Sequence, residues 1–173
     1  MRPTRVLGAA ALALAAACGG DRPKAADGGL LVNQQSGAPL PTLNPDPAAN
    51  TFAPALGVDL AKFRKTPSGL YVRDDKVGTG ATAAVGTPAR VDYTGYLANG
   101  KQFDSSEGKE PFPITPGETP VIKAWTEAVP GMRVGGVRTI VVPAELGYGA
   151  AGAGPDIPPN AVLVFKMTLV GVR

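Results

Sequence analysis

The sequence predicts an α+β fold in which an antiparallel sheet packs around one short amphipathic helix. From residue 67 to residue 173 the chain reads as short, alternating apolar runs bounded by Gly and Pro, a pattern typical of antiparallel strands. Only residues 121–129 carry apolar side chains at convincing helical spacing. With 173 residues, of which 44% are hydrophobic, the chain has room for one domain with extensions rather than two domains.

Four segments are the best strand candidates: residues 69–73, 89–97, 138–142 and 162–172. In the second of these, alternate residues such as Val91, Tyr93 and Gly95 share one face, so that face can be buried while the other meets water. The Asn99-Gly100 pair after it predicts a hairpin turn, because such turns require positive φ values.

A helix is predicted over residues 121–129. Thr119 is placed to cap it, Pro120 suits its first turn, and Pro130-Gly131 ends it. Its shared apolar face consists of Val121, Ile122, Trp125 and Val129. We expect this face to pack against the sheet.

The N-terminus has the features of an exported protein. Residues 1–17 predict a signal peptide, with a basic start followed by an apolar run that is too short to span a bilayer. Cys18 follows Leu14-Ala15-Ala16-Ala17, which looks like a bacterial lipoprotein processing site and predicts lipidation; the alternative is ordinary cleavage beside an incidental cysteine. Residues 18–66 then form a Pro/Ala/Gly-rich linker, in which residues 56–63 either dock on the domain or are disordered.

Composition excludes several functional classes. The chain has no histidine and one cysteine, which removes Ser-His-Asp and Cys-His catalysis and the usual zinc ligand sets, so neither metal nor cofactor is expected. Residues 67–173 carry ten basic and ten acidic side chains. A neutral domain of this kind gives no indication of nucleic-acid binding.

Five motifs follow one another along the predicted domain, and each places an aromatic or aliphatic residue beside a turn. They are Val91-Asp92-Tyr93-Thr94-Gly95, Phe103-Asp104-Ser105-Ser106, Val121-Ile122-Lys123-Ala124-Trp125, Tyr148-Gly149 and Ile157-Pro158-Pro159-Asn160. In this order they resemble the FKBP family of peptidyl-prolyl cis-trans isomerases. The resemblance implies that residues 67–173 form an FKBP-like domain, in which five or six antiparallel strands wrap around the short helix. It also implies an aromatic pocket that rotates X–Pro bonds.

The resemblance also implies roles for individual residues. The catalytic set is Tyr93, Phe103, Asp104, the backbone N–H of Ile122 and the hydroxyl of Tyr148. The substrate-binding set is Phe112, Val121, Trp125 at the pocket floor, Ile157 and Phe165. The implied partners are proline-containing polypeptides undergoing folding outside the cytoplasm, macrolide inhibitors and, through Cys18, a membrane. We expect a monomer.

Some positions depart from the family pattern. Ala124 replaces a common glycine, and Asp156 and Ala153 change the expected pocket lip. A shortened loop leaves no clear equivalent of the family's basic partner for Asp104, although Lys109 is nearby. These departures leave two alternatives to an isomerase: a non-catalytic FKBP-like chaperone or binding module, and a structural envelope lipoprotein.

Overall fold

The computed structural model describes residues 43–173, which belong to one unit of the chain. The predicted signal peptide, Cys18 and the first part of the predicted linker lie outside the described residues. Within residues 43–173, no helix combines the length and the apolar character needed to cross a membrane.

The domain is built on one antiparallel sheet of seven strands, in the order β1-β2-β6-β7-β3-β4, with β5 also paired to β3. The strands are β1 (Arg64–Lys65), β2 (Tyr71–Lys76), β3 (Ala89–Leu97), β4 (Gln102–Ser105), β5 (Phe112–Ile114), β6 (Val137–Val142) and β7 (Leu163–Val172). The predicted fold class is confirmed. The strand number exceeds the expected five or six because very short segments such as β1 and β5 also pair.

The β3–β4 hairpin forms at the predicted turn. Gly100 has a φ of 88°, and the Leu97 N–H donates to the carbonyl oxygen of Lys101 at 2.9 Å. The side-chain oxygen of Asn99 accepts a hydrogen bond from the Lys101 N–H at 2.9 Å. The Asn-Gly pair therefore supplies both the positive φ and a local acceptor.

Among residues 43–173 there is one α-helix, α1 (Lys123–Ala128), and it begins later than predicted. Thr119 does not cap it: the Thr119 hydroxyl accepts from the Thr115 N–H at 2.8 Å and closes the preceding turn. Ile122 occupies the N-cap position with an extended backbone (φ −58°, ψ 146°). Val121 and Ile122 therefore lie before the helix, while the predicted end next to Pro130 is confirmed.

Buried side chains form two clusters on opposite faces of the sheet. In β6, Ile140 and Val142 belong to the cluster that contains α1, whereas Val141 between them belongs to the second cluster. Successive strand residues point to opposite faces, so this alternation separates the two clusters. The second cluster consists of Leu56, Phe63, Tyr71, Val141, Val162 and Val164.

Part of the predicted linker covers the second cluster. Residues 43–66 include three 3-10 turns (Pro47–Ala49, Pro54–Leu56 and Leu60–Lys62). Phe63 is only 8% exposed, and the Arg73 guanidinium lies 4.5 Å from the centre of its ring. Of the two alternatives for residues 56–63, the structure shows docking on the domain.

Candidate active site

A cavity of about 590 Å³ opens on the α1 side of the sheet, and we call it the aromatic pocket. It is lined by Tyr93, Phe103, Asp104, Phe112, Pro120, Val121, Ile122, Lys123, Trp125, Glu145, Gly147, Tyr148 and Phe165. Every predicted site residue of the domain except Ile157 is in this set. Segments far apart in sequence therefore meet at one place.

Trp125 lies at the centre of the aromatic residues and is 5% exposed. Its ring meets those of Tyr93, Phe112 and Phe165 edge to face, at centroid distances of 4.8, 5.6 and 5.6 Å. Edge-to-face pairs place a positive ring edge against a negative ring face, so they hold the rings at fixed angles. The pocket therefore has a rigid apolar lining.

The Trp125 Nε1–H is buried and has no hydrogen-bond partner within the part of the chain that the structure describes. An unpaired buried donor costs about 1–3 kcal/mol relative to a paired one.

Gly95 makes room for two of the pocket rings. It lies in β3, directly across from Phe165 in β7. A Cβ atom added to Gly95 would lie 2.6 Å from Cζ of Phe103 and 2.9 Å from Cε1 of Phe165, distances that real Cβ contacts do not reach. The absence of a side chain at this position thus lets the Phe103 and Phe165 rings pack edge to face at 5.6 Å. A glycine inside a predicted strand is the sequence signal for such a close approach.

Asp104 at the pocket is fixed by two hydrogen bonds. Its Oδ2 accepts from the Tyr93 hydroxyl at 2.5 Å, and its Oδ1 accepts from the Ser105 N–H at 2.8 Å. Two residues of the predicted catalytic set, Asp104 and Tyr93, are therefore in direct contact. Lys109 makes a different contact: its Nζ donates to the carbonyl oxygen of Ser105 at 3.0 Å.

Both pocket tyrosines remain neutral at physiological pH. Burial, followed by the hydrogen bond and negative charge of Asp104, raises the pKa of Tyr93 well above its usual range. Burial and the charge of Asp104 also raise the pKa of Tyr148. Each phenol therefore keeps its proton and acts as a hydrogen-bond donor.

Two further features bear on the predicted donors. The Ile122 N–H, at the start of α1, has no backbone acceptor among residues 43–173. Tyr148 lies between two 3-10 turns, Ala144–Leu146 and Gly149–Ala151, and is 39% exposed. Both residues line the aromatic pocket, although they belong to segments that are distant in sequence.

Ile157 and Asp156 lie outside the lining of the aromatic pocket. Ile157 is 7% exposed within the main core, and it exchanges backbone hydrogen bonds with Ala153 at 2.9 and 3.1 Å. Asp156 forms an ion pair with Lys101 at 2.7 Å and lines a second cavity of about 360 Å³. The position of Asp156 on the lip of the aromatic pocket and the substrate-binding role of Ile157 therefore both stay predictions.

Sequence reasoning missed four lining residues: Pro120, Lys123, Glu145 and Gly147. Lys123 and Glu145 are exposed charged side chains, and nothing in their sequence context separates them from other surface charges. Pro120 and Gly147 are direct neighbours in sequence of the predicted residues Val121 and Tyr148. Among residues 43–173, no group of three or more His, Cys, Asp or Glu side chains could hold a metal ion.

Comparison with known proteins identifies relatives of this chain. A model of FKBP-type peptidyl-prolyl cis-trans isomerases matches residues 80–170. Over 105 residues the chain is 47% identical to an FK506-binding protein of Neisseria meningitidis serogroup B, covering 60% of this chain and 96% of that protein. Over 112 residues it is 43% identical to FK506-binding protein 4 of Rhizopus delemar, covering 65% of this chain but only 29% of that longer protein.

Solved structures show the same similarity. The match to the crystal structure of AtFKBP13 covers 64% of this chain and 98% of the AtFKBP13 chain, with a TM-score of 0.59 and 39% identity. The match to the crystal structure of FkpA from Escherichia coli covers 65% of this chain and 52% of the FkpA chain, with a TM-score of 0.59 and 35% identity.

Proposed function

The chain belongs to the FKBP-type peptidyl-prolyl cis-trans isomerase family, and we propose that its aromatic pocket rotates X–Pro bonds in polypeptides that fold outside the cytoplasm. The main support is the pocket itself, in which three aromatic rings pack on a buried tryptophan beside a fixed carboxylate. Its volume of about 590 Å³ is that of a typical small-ligand site. A proline ring with its neighbouring amide is small enough to enter.

Rotation of an X–Pro bond requires no bond to break, so acids, bases and nucleophiles are unnecessary. The barrier of about 18–20 kcal/mol is the loss of amide resonance, and the planar amide is more dipolar than the twisted one. An apolar pocket that removes water therefore favours the twisted form. Every 1.36 kcal/mol of this preference raises the rate about tenfold.

Two donors would hold the peptide while the bond rotates. In this proposal the Ile122 N–H and the Tyr148 hydroxyl bind carbonyl groups on either side of the proline, and Trp125 supports the ring. The raised pKa of Tyr148 keeps its hydroxyl protonated for this purpose. Fixing both flanking segments restricts motion to the X–Pro axis, which removes most of the orientational cost.

Isomerisation of a proline-containing test peptide, followed in a protease-coupled assay, tests this function. We expect the full chain to accelerate the reaction, and Phe103→Ala and Tyr148→Phe each to lower kcat/KM by roughly tenfold or more. Tyr96→Phe is the matched control, because Tyr96 is on the same strand as Tyr93 but packs against the second cluster. Binding of unfolded chains without rate acceleration would instead establish a non-catalytic module.

The relatives' names give FK506 as their ligand. We propose that this macrolide binds the aromatic pocket here and competes with proline peptides. Trp125 is the only tryptophan of the chain, so its fluorescence should change on titration with FK506. Isomerase activity that persists at saturating FK506 would contradict a shared site.

We further propose that residues 1–17 direct export and that lipidated Cys18 anchors the protein in a membrane. The support is the basic and apolar pattern of the leader and the small residues before the single cysteine. Each buried methylene adds about 0.8 kcal/mol of membrane affinity, so two or more acyl chains hold a protein stably. Cys18→Ala should move the protein from the membrane fraction to the soluble fraction; unchanged fractionation would exclude the anchor.

A further inference from the structure

Residues 43–53 precede the part of the chain that matches the family model, yet they pack beside the pocket segment that carries Tyr148. We call residues 43–53 the brace and residues 143–160 the Tyr148 loop. Leu43 packs against the main core, and Pro47 is buried. The brace is thus an ordered part of the domain.

Two backbone hydrogen bonds attach the brace to both ends of the Tyr148 loop. The Ala144 N–H donates to the carbonyl oxygen of Pro45, and the Leu43 N–H donates to the carbonyl oxygen of Pro159, each at 3.2 Å. Ala144 is four residues before Tyr148, and Pro159 is near the other end of the loop. A shift of the brace would therefore displace the loop at two points.

The brace has its own hydrogen bonds that fix the position of Pro45. The Asn50 Nδ2 donates to the carbonyl oxygens of Asn44 and Asp46, at 2.9 and 2.7 Å. The Asp46 side chain accepts from the Ala48 N–H at 2.9 Å and caps the first 3-10 turn. Pro45 lies between Asn44 and Asp46, so the Asn50 side chain fixes the backbone on both sides of the Pro45 carbonyl.

The β3–β4 hairpin links to both the brace and the loop. The Ala53 N–H donates to the carbonyl oxygen of Ala98 at 2.8 Å. Lys101, at the same turn, binds Asp156 of the Tyr148 loop at 2.7 Å. Brace, hairpin and loop therefore form a closed ring of contacts beside the pocket.

Inside the Tyr148 loop, backbone hydrogen bonds connect its ends to its centre. The Asn160 N–H donates to the carbonyl oxygen of Gly149 at 2.9 Å, and Gly147 N–H donates to Ala144 at 3.0 Å. Tyr148 lies between these two connections. A change at either attachment of the brace reaches Tyr148 through only a few bonds.

We propose that the brace is a positioning element of the isomerase site, which holds the Tyr148 loop so that the Tyr148 hydroxyl reaches a bound peptide. This inference rests on the proposed function for its catalytic consequence, though not for its structural one. It extends the functional domain from residue 67 back to residue 43.

Two aspartates provide a matched pair of variants. Asp46 and Asp59 each cap a three-residue 3-10 turn of the N-terminal segment through one hydrogen bond, to Ala48 at 2.9 Å and to Ala61 at 3.2 Å. Only the turn capped by Asp46 adjoins Pro45. Asp59 precedes residues that pack on the opposite face of the sheet, and its additional ion pair with Lys62 is exposed.

The first measurement is amide hydrogen exchange in the full chain. We expect Asp46→Ala to speed exchange at Ala144 and Gly147 by about threefold or more, whereas Asp59→Ala leaves these amides as in the wild type. Asn50→Asp, which removes both side-chain donors without a change of shape, should act like Asp46→Ala. Equal exchange in the Asp46→Ala and Asp59→Ala variants would overturn the brace, whether or not the chain isomerises proline.

The second measurement is kcat/KM with a proline peptide. Asp46→Ala should lower it by about threefold or more, and this loss should largely disappear when Asp46→Ala is added to Tyr148→Phe. Losses that multiply independently would overturn positioning through Tyr148. A wild-type chain without activity would refute the proposed function alone, because amide exchange tests the brace separately.

Discussion

Tyr93 contributes to the pocket in two ways at once. Its ring packs edge to face on Trp125 at 4.8 Å, and its hydroxyl donates to Asp104 at 2.5 Å. The apolar contact fixes the wall of the pocket, and the polar contact fixes the carboxylate at its rim. The hydrogen bond requires a neutral phenol, because a phenolate has no proton to donate and would be repelled by the Asp104 carboxylate.

The raised pKa values of Tyr93 and Tyr148 predict a loss of stability at alkaline pH. In the unfolded chain both phenols return to a pKa of about 10 and lose their protons more readily than in the fold. Their contribution is therefore complete below about pH 10 and is lost as the pH rises towards the folded-state values. Urea unfolding at a series of alkaline pH values should show a steeper fall for the wild type than for Tyr93→Phe; equal slopes would contradict this.

Most pocket side chains could be predicted because five motifs in order resemble the FKBP family, and that resemblance assigns the aromatic residues to one pocket; taken singly, these residues could equally belong to a plain core. The sequence could not show the roles of Gly95 or Lys109. The need for glycine at position 95 depends on two rings brought in from β4 and β7, and the Lys109 contact depends on the path of an irregular loop. Both are consequences of tertiary packing, which single-sequence patterns do not contain.

Among the elements, the strands followed their sequence patterns more closely than the helix did. β3 forms over residues 89–97 as predicted, because its alternation and the Asn-Gly turn agree. The predicted start of α1 was wrong because the Thr119 hydroxyl accepts a hydrogen bond from the Thr115 N–H and does not cap the helix. Residues 43–66 are proline-rich, and their only helical spacing is the short one of Leu56, Leu60 and Phe63, so their packing as 3-10 turns could not be predicted from that pattern.

The second cluster predicts that the N-terminal segment stabilises the domain. Phe63 is 8% exposed and packs with residues of β2, β6 and β7, so Phe63→Ala should lower the free energy of unfolding by about 3 kcal/mol. The neighbouring Lys62 side chain is 72% exposed, and Lys62→Ala should change stability by less than about 0.5 kcal/mol. Urea unfolding measures both; a Phe63→Ala variant as stable as Lys62→Ala would show that the contact contributes little.

At the scale of the molecule, the isomerase domain is electrically balanced. Residues 67–173 carry ten basic and ten acidic side chains, so we expect no long-range electrostatic attraction of substrate. Such a domain can act on clients of either charge, with recognition concentrated in the apolar pocket.

This balance predicts a weak dependence on salt. For an uncharged proline peptide, kcat/KM should change by less than about twofold between low and high ionic strength. Lys123 and Glu145 line the pocket with opposite charges, so Lys123→Glu should introduce salt dependence for a peptide with lysine beside the proline. A wild-type rate that falls steeply with salt would show that local charges, and not the apolar pocket, dominate encounter.

The β1 edge of the sheet is poorly suited to pairing with a strand from another polypeptide. β1 is only two residues long, Arg64 and Lys65, and both are exposed. Unpaired strand edges attract other strands, and short, positively charged edges resist such pairing. If the pocket acts on extended polypeptides as proposed, this edge disfavours their addition to the sheet as a further strand.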